Sequence, residues 1–170
     1  MFFPFILRRL GAADAECYRA LRLEGLRSHP EAFAASWDAE ASEPLCWFAE
    51  RLERNVVFGG WQDVSTLKGV VGLHVPDAPK SRHKGELWGM FVLPEARGTG
   101  LAAALVARVI EHAASSVEEI RLTVVTTNAA AVRLYARAGF TQFGLERRAL
   151  KVGDQYYDEL LMTFPLRPLV

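Results

Sequence analysis

The hydrophobic period of the chain changes near its middle, and this change limits the folds that it can adopt. Three short apolar runs, at residues 56–61, 67–75 and 86–93, are separated by polar segments, which is typical of a three-strand antiparallel meander. Helical and strand patterns then alternate over residues 98–115, 120–126, 129–138, 141–151 and 156–164. We expect an α/β (α+β) fold with a mixed, mostly antiparallel central sheet of about seven strands flanked by helices. The helix at 98–115 would make one parallel crossover.

The first part of the chain adds one strand and two helices to this pattern. We predict a strand at residues 5–10, a helix at 12–28 ended by Pro30, and a helix at 43–54. The apolar stripe of the second helix consists of Leu45, Phe48, Ala49 and Leu52. Residues 30–43 lose the period and mix aromatic side chains with carboxylates, which favours a loop or short helix over a cleft. A plain connector with packed aromatic residues is the alternative.

Composition and charge narrow the classes of protein to consider. The chain has 170 residues, 51% of them apolar and 24% charged, which is typical of one globular domain spanning residues 1–170. Lys plus Arg and Asp plus Glu number 20 each, and neither half of the chain carries excess charge. This balance favours neither a nucleic acid nor an anionic membrane, so we expect neither as a partner.

The cysteines, the histidines and the first seven residues indicate whether the protein binds a metal and in which cell compartment it lies. Cys17 and Cys46 have no framework spacing, which fits a reducing compartment or two buried small hydrophobic residues. The four histidines share no ligand-like spacing, so we expect no metal. The apolar start at residues 1–7 is too short for a signal sequence or a bilayer span. We therefore expect a cytoplasmic protein.

A glycine-containing loop follows the strand at residues 86–93. Arg97-Gly98-Thr99-Gly100 opens a helix in which Leu101, Leu105, Val109 and Ala113 recur at every fourth position. Free amides at such a helix start bind anions, and Arg97 adds a guanidinium group. We predict a site for a phosphate or pyrophosphate here. The alternative is a glycine turn with a surface arginine.

The same glycines also match a dinucleotide-binding fingerprint, but the rest of the pattern argues against a dinucleotide site. Gly98, Gly100 and Ala103 satisfy G-x-G-x-x-G/A, and Glu118 lies 20 residues after Gly98. However, Glu118 precedes the strand at 120–126, whereas the ribose-binding carboxylate of that fingerprint ends the strand. The loop is also not a nucleotide-binding P-loop, because no Gly-Lys-Ser/Thr follows the glycines.

Two blocks of the sequence resemble the GCN5-related N-acetyltransferase superfamily. Residues 90–102 are similar to its acyl-CoA segment, with the R-x-x-G-x-G/A core at Arg97, Gly100 and Ala102. Residues 128–140 are similar to its N-x-x-A-x-x-L-Y-x-x-x-G-F helix. The resemblance implies transfer of an acetyl group from acetyl-CoA to an amine. It also implies a bulge in the strand that ends at Val92, and a splay between that strand and the one at 120–126.

The resemblance further implies which residues hold the cosubstrate. The amides of residues 98–102 would take the pyrophosphate, and the strand ending at Val92 would offer backbone groups to the pantetheine arm. The predicted cofactor-binding set is Met90, Phe91, Val92, Arg97, Gly98, Thr99, Gly100, Leu101, Ala102, Asn128 and Ala131. Asn128 is also a good N-cap for the helix that starts at Ala129, and capping is compatible with cofactor contact.

The reaction requires a neutral amine, an oxyanion donor and a proton for the leaving thiolate. Tyr135 lies seven residues after Asn128 on the same helix face, and the resemblance assigns it as the donor to the sulfur. The alternative is a core tyrosine with a locally satisfied hydroxyl. For the oxyanion, the resemblance points to a backbone amide near Phe91 or Val92.

The general base is predicted from strand periodicity. Glu86, Trp88, Met90 and Val92 would share one face of a central strand whose faces are both apolar. A carboxylate at the edge of that environment would have a raised pKa and accept the ammonium proton, so we predict Glu86 as the base. A solvated glutamate and a water chain are the alternatives. Some family members carry a glutamate five positions before the asparagine, where this chain has Thr123.

The acceptor amine is expected between the loop near residue 33 and the final hairpin. The predicted substrate-binding residues are Phe33, Trp37, Tyr157 and Asp158, beside Tyr156 and Glu159. A carboxylate there would attract an ammonium group. The expected partners are acetyl-CoA and a small primary amine or amino acid. A peptide or protein N-terminus, a non-catalytic acyl-CoA-binding module and a homodimer remain open.

Overall fold

A mixed sheet forms the centre of the molecule. The computed structural model describes residues 4–167, and within them seven strands lie in the order β1-β2-β3-β4-β5-β7-β6. The strands are β1 Ile6–Arg9, β2 Val56–Trp61, β3 Leu67–His74, β4 Lys84–Val92, β5 Glu119–Val125, β6 Thr141–Val152 and β7 Gln155–Pro165. Neighbours are antiparallel except β4 and β5, which are parallel. The predicted fold class and crossover are confirmed.

The helices lie close to their predicted positions. They are α1 Ala15–Ser28, α2 Trp37–Ala41, α3 Leu45–Arg54, α4 Leu101–Ala113 and α5 Ala129–Ala138. The helix predicted from residue 12 begins as a 3₁₀ turn, Ala12–Asp14, because the Asp14 carboxylate accepts the Gly11 N–H at 3.0 Å. The segment without a clear period contains a 3₁₀ turn, Pro30–Ala32, and the short α2, which confirms the loop-or-short-helix prediction.

Helix α4 packs on one face of the sheet through its predicted stripe. Leu101, Leu105, Val109 and Ala113 are all 0% exposed, and they share one hydrophobic cluster with residues of β3, β4, β5 and α5. Burial of each large aliphatic side chain contributes about 1.5–3 kcal/mol. The helix is therefore held firmly, and its N-terminus lies at a defined position at the end of β4.

Helices α1 and α3 cover the opposite face. Tyr18, Phe48 and Leu52 form a second cluster with residues of β2, β3 and β4. Phe48 and Leu52 confirm the predicted stripe of α3, but Leu45 is 43% exposed. The stripe was wrong at that position because Leu45 is the first residue of the helix, where the chain enters from Pro44.

Two glycines let side chains approach the sheet closely. A Cβ at Gly60 on β2 would overlap the side chain of Leu101, and a Cβ at Gly72 on β3 would overlap the indole of Trp88. The sheet surface therefore has two hollows, one for the first residue of α4 and one for an aromatic side chain of β4.

The remaining sequence expectations concern cysteines, metals and membranes. Cys17 and Cys46 are free and exposed, so their interpretation as buried small hydrophobic residues is wrong. Among residues 4–167, no three His, Cys, Asp or Glu side chains are grouped to hold a metal ion. Over the same part of the chain, no helix combines the length and apolar character that crossing a bilayer requires.

Candidate active site

A cavity of about 890 Å³ opens where β4 and β5 diverge. The two strands pair over only three residues, from Lys84 opposite Glu119 to Glu86 opposite Arg121. Beyond this point, residues 87–92 of β4 and 123–125 of β5 line opposite walls of the cavity. The predicted splay is therefore confirmed, and it gives a ligand access to strand backbone in the middle of the sheet.

A bulge in β4 shapes the same wall. Val70 of β3 pairs with Phe91, but Gly72 pairs with Trp88, so two residues of β4 lie opposite one of β3. Gly89 occupies the bulge with a φ of +63°, a conformation that glycine adopts without strain. The predicted bulge is confirmed.

The bulge also overturns the predicted alternation of β4. Leu87 and Val92 both belong to the α4-side cluster, whereas Trp88 and Phe91 belong to the α1-side cluster. A strict period of two would have placed Val92 with Trp88, so the predicted faces were wrong beyond residue 89. The extra residue exchanges the two faces.

The loop before α4 has the geometry of an anion site. Gly98 and Gly100 have φ values of +74° and +88°, and a Cβ at either position would meet nothing within 4 Å. The Ala104 N–H donates to the Gly100 carbonyl at 3.0 Å as the first helical bond. The Leu101 N–H donates to the Thr99 hydroxyl at 3.4 Å. The other amides before Ala104 at the N-terminus of α4 point away from the helix, toward a space that a phosphate group can occupy.

Arg97 links this loop to two other elements. Its Nε donates to the Val92 carbonyl at 3.2 Å, and its Nη2 lies 3.2 Å from His29 Nε2. The guanidinium thus bridges the end of β4 and the segment after α1. We expected the Arg97 guanidinium to lie beside the anion site. The structure confirms this only in part, because the side chain turns toward the cavity wall.

Most of the predicted cofactor-binding residues come together. The members that line the cavity are Met90, Phe91, Val92, Arg97, Gly98, Gly100, Ala102, Asn128 and Ala131. Thr99 and Leu101 do not line it. Thr99 ties the loop by donating its hydroxyl to the Ala96 carbonyl at 2.6 Å, and Leu101 is fully buried in the core.

Helix α5 supplies one wall of the cavity. The Asn128 side chain accepts the Ala131 N–H at 3.2 Å, which confirms the predicted N-cap. Tyr135 also lines the cavity and is only 5% exposed. Burial raises the pKa of its hydroxyl well above the usual range. The group is therefore a protonated donor at neutral pH, and its ring packs edge-on against Phe140.

The structure does not bring Glu86 into the cavity lining. Glu86 lies where β4 is still paired on both sides, opposite His74 of β3 and Arg121 of β5, and its side chain is exposed. The apolar environment that was expected around this carboxylate is missing, because the strands diverge only after this residue.

The predicted acceptor residues separate into two groups. Phe33 lines the main cavity and also a second groove of about 690 Å³. Trp37 lines the second groove and not the main cavity. Tyr157 and Asp158 line neither. Tyr157 lies opposite Leu150 of β6, and Asp158 accepts the Arg148 N–H at 2.7 Å, so it stabilises the irregular part of the β6–β7 pair.

Several cavity residues were not predicted as site residues. His29, Glu31 and Trp88 line the cavity, and Thr123 lines it on β5. Behind Phe33, the buried Arg22 guanidinium lies 5.3 Å from the ring and forms an ion pair with Glu40 at 2.9 Å. These positions carry no local sequence signal, since the splay and the packing of α1 on β4 bring them together.

A strand pair that opens beside a loop of free amides, with a buried tyrosine hydroxyl in the same cavity, defines a domain for a phosphate-bearing ligand. The chain belongs to the acetyltransferase (GNAT) family, whose model matches residues 20–140.

Curated relatives support this assignment. The chain is 33% identical over 144 residues to a mycothiol acetyltransferase of Thermobispora bispora, covering 78% of this chain and 45% of the relative. It is 34% identical over 139 residues to a mycothiol acetyltransferase of Beutenbergia cavernae, covering 79% of this chain and 44% of the relative. The chain thus spans less than half the length of these relatives.

Solved structures share the fold. A GNAT-family acetyltransferase from Streptococcus pneumoniae superposes with a TM-score of 0.81 at 20% identity, covering 95% of this chain and 98% of that one. The Salmonella typhimurium protein yncA, solved with its cofactor acetyl-CoA, superposes with a TM-score of 0.80 at 20% identity, covering 98% and 96%.

Proposed function

We propose that the protein is an N-acetyltransferase that transfers the acetyl group of acetyl-CoA to a primary amine of a small molecule or amino acid. Direct attack in a ternary complex is the proposed route. One observation carries the proposal: a single cavity is lined by the open loop at Gly98 and Gly100, by the splayed wall of β4 and by Tyr135.

Acetyl-CoA fits the residues that line this cavity. The amides at the start of α4 suit its pyrophosphate, and the space beside Gly98 and Gly100 admits the phosphates without a steric clash. Beyond Glu86, no strand within residues 4–167 pairs with the edge of β4 that faces β5. Backbone groups on such an edge can bind the amides of an extended pantetheine arm as a neighbouring strand would. Relatives of the same fold were solved with acetyl-CoA, which agrees with this choice.

The acceptor is proposed to be a small molecule because the curated relatives are mycothiol acetyltransferases. One observation favours a larger acceptor. The second groove meets the main cavity at Phe33 and runs past Trp37 to the turn between β6 and β7. An elongated acceptor, such as a peptide N-terminus, could occupy it.

The proposed chemistry is nucleophilic substitution at the thioester carbon. The neutral amine nitrogen uses its lone pair to form the C–N bond, the C–S bond breaks, and sulfur leaves with the electron pair. Backbone N–H groups near Phe91 donate to the carbonyl oxygen as negative charge develops on it. The second amine proton passes to the sulfur, which gives the amide and the free thiol.

Tyr135 is proposed to stabilise the leaving sulfur. A thiol has an ordinary pKa of about 8.5, below that of a tyrosine even without burial. Burial raises the Tyr135 pKa further, so complete transfer of its proton to a thiolate is unfavourable. We therefore assign the hydroxyl as a hydrogen-bond donor to the developing thiolate, and it returns unchanged after each turnover.

The first experiment is a calorimetric titration with acetyl-CoA, with NADH as the control ligand. We expect micromolar binding of acetyl-CoA alone, weakened at least tenfold by Gly100→Trp in protein whose thermal midpoint confirms folding. Release of free thiol with a panel of small amines and peptide N-termini then identifies the acceptor class. Tyr135→Phe should lower kcat about 10²-fold with acetyl-CoA affinity retained. Absence of acetyl-CoA binding would contradict the proposal, and binding without turnover of any amine would favour a non-catalytic module.

We also propose a cytoplasmic location. Cys17 and Cys46 are free and exposed, and exposed unpaired thiols suit a reducing compartment. Fractionation of the native host cells would test this.

A further inference from the structure

The inference concerns the proton of the acceptor amine, and it rests on the proposed function. An amine is an ammonium ion near neutral pH and must lose a proton before it can attack. Glu86 is exposed and lies outside the cavity lining. Glu159 also lies outside the lining, but it neighbours Thr123, whose side chain does line the cavity. The proton acceptor is therefore sought among groups that connect to the cavity through a lining residue.

Thr123 and Glu159 lie together on the acceptor side of the sheet. Thr123 lines the cavity, and the next residue on its face of β5, Val125, pairs with Glu159 of β7. This register makes Glu159 a diagonal neighbour of Thr123 on one face of the sheet, at a separation that polar side chains can bridge. The 3₁₀ turn Pro30–Ala32, next to Phe33, packs against β5 and β6. Thr123 and Glu159 thus lie beneath the segment around Phe33, which was expected to cover the acceptor amine.

The opposite face of the sheet carries Tyr135. Leu122 and Val124, which alternate with Thr123 along β5, belong to the same cluster as Tyr135. Thr123 therefore points to the sheet face opposite the tyrosine, beside the gap between the splayed strands. An amine bound on the Thr123 face would reach a thioester in the gap from the side opposite Tyr135.

The charges around Glu159 favour a cation. Glu146 of β6 lies directly opposite Glu159, and neither carboxylate forms an ion pair with any residue among 4–167. Burial and, after it, the Glu146 charge raise the pKa of Glu159, while the Thr123 hydroxyl opposes the shift. His29 and Glu31, from the covering segment, also line the cavity, as does Arg97, whose guanidinium contacts His29. Arg133, Arg137 and Tyr135 line it from α5. Glu159 is half-buried and Glu146 is exposed. Two neighbouring carboxylates without a cation attract an ammonium group, and the raised pKa makes Glu159 a better base.

We propose that Thr123 and Glu159 form a proton relay for the acceptor amine. The ammonium donates a hydrogen bond to the Thr123 oxygen, and the Thr123 hydroxyl donates to the Glu159 carboxylate. When one ammonium proton moves to Thr123, the hydroxyl proton moves to Glu159. The products of this step are a neutral amine, an unchanged threonine and a protonated carboxyl. Thr123 contacts the substrate, and Glu159 is a positioning residue that acts through it.

The test combines pH profiles with conservative variants of both residues. We expect Thr123→Val and Glu159→Gln each to lower kcat/KM about 10²-fold at pH 7, and Thr123→Ser to restore most of the rate. The loss should shrink as pH rises, since free amine becomes abundant. Glu146→Gln should move the acidic limb of the profile to lower pH, because it removes the like charge. Glu111→Gln, an exposed change on α4, is the matched control and should change nothing.

Two further measurements separate this inference from the proposed function. Acetyl-CoA affinity should stay within twofold in every variant, and carboxyl NMR titration of the ligand-free protein should show Glu159 titrating lower after Glu146→Gln. One contrary result is that Thr123→Val and Glu159→Gln each keep a rate within threefold of the wild type while still binding acetyl-CoA. That result would overturn the relay and leave the proposed function standing. A wild-type protein that binds no acetyl-CoA would overturn both.

Discussion

Replacing Glu40 by glutamine should destabilise the protein strongly, although Glu40 lies outside the cavity lining. Glu40 on α2 accepts Arg22 Nε at 3.0 Å, Arg22 Nη2 at 2.9 Å and Arg51 Nη1 at 3.1 Å. The Glu40 side chain is 5% exposed and that of Arg22 is 7% exposed. One carboxylate is therefore shared by two guanidinium groups, from α1 and α3, and water hardly reaches its pair with Arg22.

The magnitude follows from this burial. Removing one partner of a buried ion pair costs about 3–5 kcal/mol, because the remaining charge stays buried without compensation. Glutamine keeps the volume but presents an NH₂ group to a guanidinium. We expect a loss of about 3 kcal/mol, which at a urea m-value of about 2 kcal/mol/M lowers the unfolding midpoint by about 1.5 M. Glu50→Gln is the matched control, because its pair with Arg54 on α3 is exposed and should contribute under about 0.5 kcal/mol.

The same network predicts a pH dependence. Burial acts to raise the pKa of Glu40, but the hydrogen bonds and charges of Arg22 and Arg51 outweigh it and leave the pKa below its ordinary value of 4.5. A lowered folded-state pKa means that the stabilisation is complete above the unfolded value and is lost as pH falls from about 4.5 through the folded value. The wild type should therefore lose stability over this range, and Glu40→Gln should lose less. A urea midpoint within 0.3 M of the wild type, or equal slopes below pH 4.5, would refute the reasoning.

Three further predictions concern single positions. Gly89→Ala should cost about 1–2 kcal/mol from its positive φ, and a thermal midpoint unchanged within 1 °C would contradict the bulge geometry. Asn128→Ala should lower the thermal midpoint by about 2–4 °C through loss of the bond to the Ala131 N–H, and Asn128→Ser should recover most of it. Gly72→Ala should cost about 1–3 kcal/mol by overpacking against Trp88, and tryptophan fluorescence that stays identical would argue against that contact.

The fold was predictable because its elements carry strong local patterns. The stripe of α4 repeats every fourth residue, and α5 runs over its predicted 129–138 because Asn128 caps one end and Gly139, with a φ of +104°, ends the other. The parallel pairing of β4 with β5 followed from the helix between them. These features depend on residues close together in sequence, where periodicity and capping act.

The candidate site was predictable only where a motif of neighbouring residues, in a loop or on one helix, defines it. The open amides near Gly100 and the position of Tyr135 follow from local sequence, and both line the cavity. Glu86 was chosen by extending a period of two along β4. That reasoning could not locate the divergence of β4 from β5, which depends on how far two distant segments pair. Thr123 and Glu159 meet through strand pairing between residues far apart in the chain, so neither position gives a signal alone.

The hollows at Gly60 and Gly72 affect which positions a mutational scan of this protein would find intolerant of substitution. Neither residue lines the cavity, yet a single added methyl group at either position pushes on Leu101 or on Trp88. One of these side chains begins the helix behind the glycine loop, and the other forms a cavity wall. A saturation screen scored on activity would therefore rank the two glycines with the reactive groups. Only a parallel screen for folded protein would tell scaffold positions from chemical ones.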